Sequence, residues 1–390
     1  MIPSYTTIVH LLLASLHIGA TATAPESFPS EEDNQDVFKE EFDFAQYQTC
    51  RTIHSLHDYR PDLALFNEYE DQECYMRDFQ LLRKIASGGT AQVYKALFRG
   101  THMVALKLIR HKTRLQFPKV FANEECAVGN LRHKAVPKFY CSVADGVYSA
   151  MAFELLDGWD GIDHLNNSKT GQVTSDEFLE ALKASASLLN MLHLSGVVYR
   201  DFKPDNMMFL RSGGVKIFDF GFLEPVTSVT TVAGTLEYLA PECFPRILSG
   251  NSLGPIDPSL DWYGLGLSLY IFAMGHMPFY RDESNNIAVA IQAGINPALL
   301  PKGPVGQLVA GLTRRDPRFR WDFKDIKVWL KHHVLTTASF DYPLRASKIG
   351  DEIWHPAAHF PARIWLDSKN DPQLVGNAAS TNLTIAVAEK

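Results

Sequence analysis

Four residues carry most of the chemistry this chain can do. Asp201, Lys203 and Asn206 lie in Val-Tyr-Arg-Asp-Phe-Lys-Pro-Asp-Asn at 198–206, and Asp219 lies in Phe-Asp-Phe-Gly-Phe at 218–222. Moving a γ-phosphoryl group asks a protein for an acceptor of the hydroxyl proton, a cation for the migrating group and oxygen ligands for Mg²⁺. Asp201 suits the first task, Lys203 the second, and Asn206 with Asp219 the third.

Other parts of the sequence must position these groups. Phe79–Ile85 reads as a strand entering a turn at 86–91, and a second strand leaves through Gln92–Ala96. Val104-Ala105-Leu106-Lys107 follows on a third strand. The apolar run Tyr148–Phe153 empties into Glu154-Leu155-Leu156-Asp157-Gly158. Thr174 and Glu177 form a capping box ahead of Phe178, Leu179, Leu182, Leu188, Leu189 and Leu192, a pattern that predicts an amphipathic helix. Trp262–Tyr280 contains no formally charged residue, but Gly264, Gly266, Gly275 and Pro278 interrupt it and Asp261 opens it. That predicts a buried core helix rather than a membrane span.

In this order and spacing the motifs resemble the eukaryotic-type protein kinase family, in its serine/threonine form. The resemblance implies an α+β, bilobal fold. Its kinase domain would cover 78–335, with a small mainly-β N-lobe at 78–153, a hinge at 154–158 and a large mainly-α C-lobe at 159–335. It implies ATP and Mg²⁺ (or Mn²⁺) as cofactors. Asp201, Lys203, Lys107 and Glu124 become the catalytic set. Nucleotide contacts fall to Ile85, Gly88, Gly89, Val93, Ala105, Lys107, Glu154, Leu156, Asn206 and Asp219, and metal binding to Asn206 and Asp219. Lys107 would pair with Glu124, nine residues before His133, while Glu125 faces solvent. Phe153 takes the gatekeeper position. Gly234-Thr235 together with Lys203 points to Ser/Thr acceptors. Ala240-Pro241-Glu242 shapes a groove for a protein substrate, Arg320 pairs with Glu242, and Asp261 fastens the catalytic loop. Arg200 would grip a phosphorylated activation loop at Thr227, Ser228, Thr230 or Thr231. Asp160 and Asp205 suggest a mild preference for Arg N-terminal to the target Ser.

One departure matters. Where the family pattern has three glycines, this chain has Ala86, Gly88 and Ala91. A Cβ at two of the three positions predicts weakened ATP binding. The alternative to an active kinase is therefore a pseudokinase, a nucleotide-binding interaction module. Retention of Lys107, Glu124, Asp201, Asn206 and Asp219 favours the active form.

Composition adds a location. The net charge of −7 resides in residues 25–49, where Glu26, Glu31, Glu32, Asp33, Asp36, Glu40, Glu41 and Asp43 oppose Lys39; the remainder balances. No nucleic-acid partner is implied. Residues 1–24 carry no Asp, Glu, Lys or Arg, and Ile8–Leu16 is apolar except for His10 and Ser15. With small residues following, this reads as a signal peptide at 1–22, cut after Ala22. The expected address is secreted or secretory-lumenal, with delivery into another cell as an extension of that reading. An acidic extension at 23–77 and a tail at 336–390 flank the kinase domain. Five cysteines leave at least one thiol unpaired, and Cys50 with Cys74 is the expected pair. Two sequons begin at Asn166 and Asn382.

Overall fold

The structure, a computed structural model, describes residues 74–87, 91–110, 119–131, 133–144, 148–227, 232–245, 257–279, 287–333 and 364–365. The leader, the acidic arm, Cys50, Gly88, Gly89, the threonine and serine positions 228–231 and Asn382 lie outside the described residues. The chain divides into two compact units. One ends at Asp157 and also contains Phe218–Leu223; the other comprises Gly158–Ile217 and the residues from Glu224 on. The first is mainly β and the second mainly helical, which is the α+β bilobal fold.

The first unit is a five-stranded antiparallel sheet of β1 (Phe79–Ser87), β2 (Gln92–Phe98), β3 (His102–Arg110), β4 (Phe139–Ala144) and β5 (Tyr148–Glu154), ordered β1-β2-β3-β5-β4. Helix α1 (Lys119–Asn130) packs beside β4. The period-two pattern of the strands explains the sheet. Tyr94, Ala96 and Phe98 on β2 and Val104, Leu106 and Leu108 on β3 join Phe79, Leu81, Ala150 and Ala152 in one apolar cluster. Burying each large apolar side chain stabilises the unit by about 1.5–3 kcal/mol. The intervening residues Val93, Ala105, Lys107 and Phe153 occupy the opposite, half-buried side. In register, Lys107 lies opposite both Val93 and Met151, and Ala105 opposite Phe153. The β1–β2 pairing runs to Ser87 opposite Gln92.

The cysteine expectation is overturned here. Cys74 bonds to Cys141, with their Cα atoms 6.3 Å apart. Cys141 belongs to the apolar cluster and Cys74 packs against it, so folding of the sheet brings together residues 67 apart in sequence.

The second unit opens with β6 (Gly158–Asp160), α2 (Gly161–Asn167), α3 (Ser175–Leu194), β7 (Val197–Val198), β8 (Met207–Leu210) and β9 (Val215–Ile217). It continues through β10 (Glu224–Pro225), β11 (Ala233–Gly234), α4 (Ser259–Met274), α5 (Ile287–Ala293), α6 (Gly303–Leu312) and α7 (Phe323–His332), and β12 (Ile364–Trp365) pairs with β11. The Thr174 capping box forms as the sequence predicts: Glu177 N–H donates to Thr174 Oγ1 at 3.3 Å and Thr174 N–H to Glu177 Oε2 at 2.8 Å. The first part of the glycine-interrupted run forms α4, buried from Asp261 to Ala273 and packed on α3 and α6; the helix stops at Met274, where Gly275 takes a left-handed φ of +73°, short of the expected Tyr280, which lies outside the described residues. Its glycines make room for neighbours: a Cβ at Gly264 would lie 2.8 Å from the Phe202 carbonyl oxygen, so only glycine lets the backbone of Phe202 rest on the helix. No helix among the described residues is long and apolar enough to cross a membrane.

Candidate active site

In the larger unit, the 198–206 segment folds around a single buried carboxylate. Asp201 is 1% exposed. Its Oδ1 accepts from Thr235 Oγ1 at 2.7 Å, and its Oδ2 accepts from Asn206 Nδ2 at 3.1 Å and lies 3.3 Å from Lys203 Nζ. Lys203 Nζ also donates to Thr235 Oγ1 at 2.6 Å. These donors fix Asp201 in one orientation. Asn206 Nδ2 also donates to the Asp201 carbonyl at 2.8 Å, which leaves the amide Oδ1 as the oxygen suited to a cation.

The loop hangs from Asp261 at the start of α4. This carboxylate accepts from Tyr199 N–H at 2.8 Å and Arg200 N–H at 2.7 Å, and His193 Nε2 of α3 lies 2.8 Å from Oδ2. Asp261 is 1% exposed, so three hydrogen-bonding partners compensate for its burial. Arg200 has φ +72°, a left-handed conformation unusual for a residue with a side chain. Further along, Arg320 makes a two-pronged bond to Glu242 at 2.7 and 2.8 Å, while Arg314, Arg315 and Arg318 remain exposed.

In the smaller unit Lys107 on β3 joins two carboxylates. Its Nζ bonds to Glu124 Oε2 and lies 3.3 Å from Asp219 Oδ1. Glu124 is 2% exposed, on the inner side of α1. Asp219 has φ +65°, in the left-handed region like Arg200 and Arg99. An ammonium between two carboxylates can bind phosphate oxygens, and Asp219 offers a hard oxygen to a metal. Val93 and Ala105 share Lys107's half-buried side of the sheet, whereas Ile85 is 41% exposed. Glu154 ends β5, its backbone N–H bonding to the Lys138 carbonyl at 2.8 Å, and Leu156 is partly exposed.

Glu125 corrects the sequence reading, which had it facing solvent. A helix turns about 100° per residue, and α1 lies beside β4, so the next carboxylate also meets protein: Glu125 Oε1 accepts from Ser142 on β4. Its other oxygen has no partner among the described residues. Burial pushes the Glu125 carboxyl up to about 7, against the pull of the Ser142 hydroxyl. The folded chain therefore retains a proton that the unfolded chain releases at ordinary carboxylate pH, and stability falls as pH rises toward 7. Asp160 acts with the same sign. Burial, aided by the charges of Asp163 and Asp205, pushes it up to about 7 despite two backbone amide donors. Glu125→Gln is expected to raise the melting temperature at pH 8, a stabilisation of up to about 3 kcal/mol, and to match wild type near pH 4.5. Thermal melts across that range check it; equal melts at pH 8 contradict it.

Three participants went unassigned in the sequence. His193 at Asp261 sits near the C-terminal end of an amphipathic helix and carries no motif of its own. Glu224 at Arg200 and Ser142 at Glu125 are placed by strand pairing. Thr235, noted as a substrate-class marker, is also the hydroxyl bridging Asp201 and Lys203.

The protein kinase domain model matches residues 79–328. Among curated proteins, the chain is 32% identical over 257 residues to serine/threonine-protein kinase PknL of Mycobacterium tuberculosis, covering 61% of each chain. It is 30% identical over 225 residues to the cAMP-dependent protein kinase catalytic subunit of Dictyostelium discoideum, covering 56% of this chain and 33% of that one. It is 29% identical over 268 residues to serine/threonine-protein kinase sgk-1 of Caenorhabditis elegans, covering 64% of this chain and 55% of that one. The chain thus spans less than two thirds of the length of each of these relatives. With the family model covering well over half of the sequence, and with the buried Asp201–Lys203–Asn206 loop and the Lys107–Glu124 pair both formed, the chain belongs to the protein kinase domain family.

Proposed function

We propose that this chain is an active protein serine/threonine kinase that transfers the γ-phosphoryl group of ATP to protein hydroxyls. The observation that carries the reading is the buried set in which Lys203, Asn206 and Thr235 hold the Asp201 carboxylate. Asp201 accepts the proton of the incoming hydroxyl. Lys203, 3.3 Å from that carboxylate, carries positive charge to the oxygens of the migrating group. Thr235 keeps the two side chains in register. Lys107, held by Glu124, orients the α- and β-phosphates. Asn206 Oδ1 and the Asp219 carboxylate fit Mg²⁺ or Mn²⁺ by chemistry, since both are hard oxygen donors. Held by these two side chains, a divalent cation would supply positive charge to offset that of the phosphate oxygens. The test is labelled phosphate transfer by the full chain to a serine peptide, with Asp201→Asn as control.

We further infer a basic preference N-terminal to the target residue. Asp160 and Asp205 interact electrostatically, and burial, followed by the charges of Asp205, Glu237 and Asp201, pushes the Tyr238 hydroxyl well above its ordinary range. A guanidinium would relieve that accumulation of negative charge. A positional peptide library is expected to select Arg upstream of Ser; neutral or acidic selection there contradicts the inference.

For location we propose the secretory route. The apolar run Ile8–Leu16 with small residues after it supports this, although the leader lacks the usual basic start, and so does the Cys74–Cys141 bond, a kind of link that persists in oxidising compartments. Peptide mapping without reductant should recover Cys74 linked to Cys141, and reduction should remove about 2–4 kcal/mol of stability. Two free thiols in protein taken from the secretory lumen, or from the medium, would contradict this. A mature terminus at Thr23 would identify the cleaved leader; a chain retaining Met1 would exclude it.

A further inference from the structure

Arg200 stands between the proton acceptor and its support. Its N–H is fixed on Asp261 at 2.7 Å, and its carbonyl oxygen would lie 2.5 Å from a Cβ at Gly234, so the backbone of β11 rests directly on it. Its guanidinium, on a side chain 8% exposed, sits 3.1 Å from Glu224 Oε2, on a side chain 7% exposed. Burial pulls the guanidinium below its ordinary range, and Glu224 is the first of the charges that restore it, followed by Asp261 and Cys243. A buried cation needs such an anion. Glu224 reaches it because β10 pairs with β7, placing Glu224 opposite Val198, two residues before Arg200 in the chain.

We propose that Glu224 is a positioning residue that does, through Arg200, what an activation-loop phosphate would otherwise do, so that the kinase is competent without phosphorylation at 227–231. This rests on the kinase reading above. A phosphate orders a loop by presenting negative charge to an arginine. Here the negative charge is encoded in the chain and buried against its arginine. A phosphoryl group arriving from Thr227, which is exposed, would have to enter beside a carboxylate of like sign. It therefore has little to gain at Arg200. Through the backbone of 200 and 201, the Arg200–Glu224 bond holds Asp201 in place, and on the far side of Arg200 it holds the segment leading to Thr235.

The test compares initial rates of peptide phosphorylation by the full chain. Wild type stripped by a broad-specificity phosphatase, and a variant with Thr227, Ser228, Thr230 and Thr231 all changed to Ala, are expected to keep kcat within about threefold of untreated protein. Glu224→Ala and Glu224→Gln are expected to lose about tenfold or more in kcat while KM for ATP changes by less than about threefold, with Glu224→Asp recovering part of the loss. That split, and rescue by the shorter acid, would not follow from a general loss of folding. A larger loss in the dephosphorylated or four-alanine protein overturns the proposal, as do folded Glu224 variants with unchanged rates. If the Glu224 variants do not fold, the first two arms decide. Silence confined to dephosphorylated protein removes this inference alone; silence in every form, ATP-preincubated protein included, removes the kinase reading with it.

Discussion

Asp201→Asn is expected to lower kcat by about 10²–10⁴-fold, the range for removing a positioned proton acceptor, while the protein stays folded. An amide is nearly isosteric with the carboxylate, and the surroundings can accommodate it. Oδ2 faces two donors, Asn206 Nδ2 and Lys203 Nζ, so the amide oxygen belongs there. The new NH₂ then faces Thr235 Oγ1, which can accept as well as donate. What is lost is a base for the substrate hydroxyl and a negative charge beside Lys203. Since Lys107 and Glu124 form their pair without Asp201, KM for ATP is expected to change little. Steady-state kinetics against peptide and ATP separate the two effects. A variant retaining more than about a tenth of wild-type kcat would mean the proton has another acceptor.

The largest effect on stability is expected at Glu242. The Arg320 side chain is fully buried and donates to both Glu242 oxygens and to the carbonyls of Ser259, Arg314 and Arg315. Removing Glu242 leaves the guanidinium with neutral acceptors alone. Deleting one partner of a buried ion pair typically costs about 3–5 kcal/mol. For a domain of this size that lowers Tm by roughly 6–20 °C. Glu242→Ala should therefore melt far below wild type, whereas Asp316→Ala, which breaks an exposed pair with Arg318, should be nearly neutral. Thermal melts side by side give the comparison; equal shifts for the two variants would contradict the assignment.

The parts legible in the sequence were those whose chemistry fixes residue type and spacing along the chain. The Asp201–Asn206 loop is local, and its hydrogen bonds join residues five apart. The α3 capping box is local too, and the α4 run could be read as buried from its apolar length and its glycines. Glu124 could be chosen over Glu125 by counting along one helix. The parts that escaped were set by tertiary contact. Whether Glu125 meets water depends on β4, a strand it reaches only after the sheet forms. Cys74 finds Cys141 across the same sheet, with nothing in the cysteine spacing to announce it. Glu224 escaped as a partner of Arg200 because only the β7–β10 pairing brings the two together. His193 was hidden for a similar reason, since its partner Asp261 lies 68 residues away.

The departures at Ala86 and Ala91 leave the strength of ATP binding as the quantity on which activity turns. The most direct measurement is transfer of labelled phosphate from ATP to a serine peptide by the full chain with Mg²⁺ or Mn²⁺, beside Asp201→Asn under the same conditions. Phosphoserine is expected to accumulate over many turnovers with wild type and hardly at all with the variant. ATP binding by both proteins, with wild-type transfer no greater than that of Asp201→Asn, would contradict it.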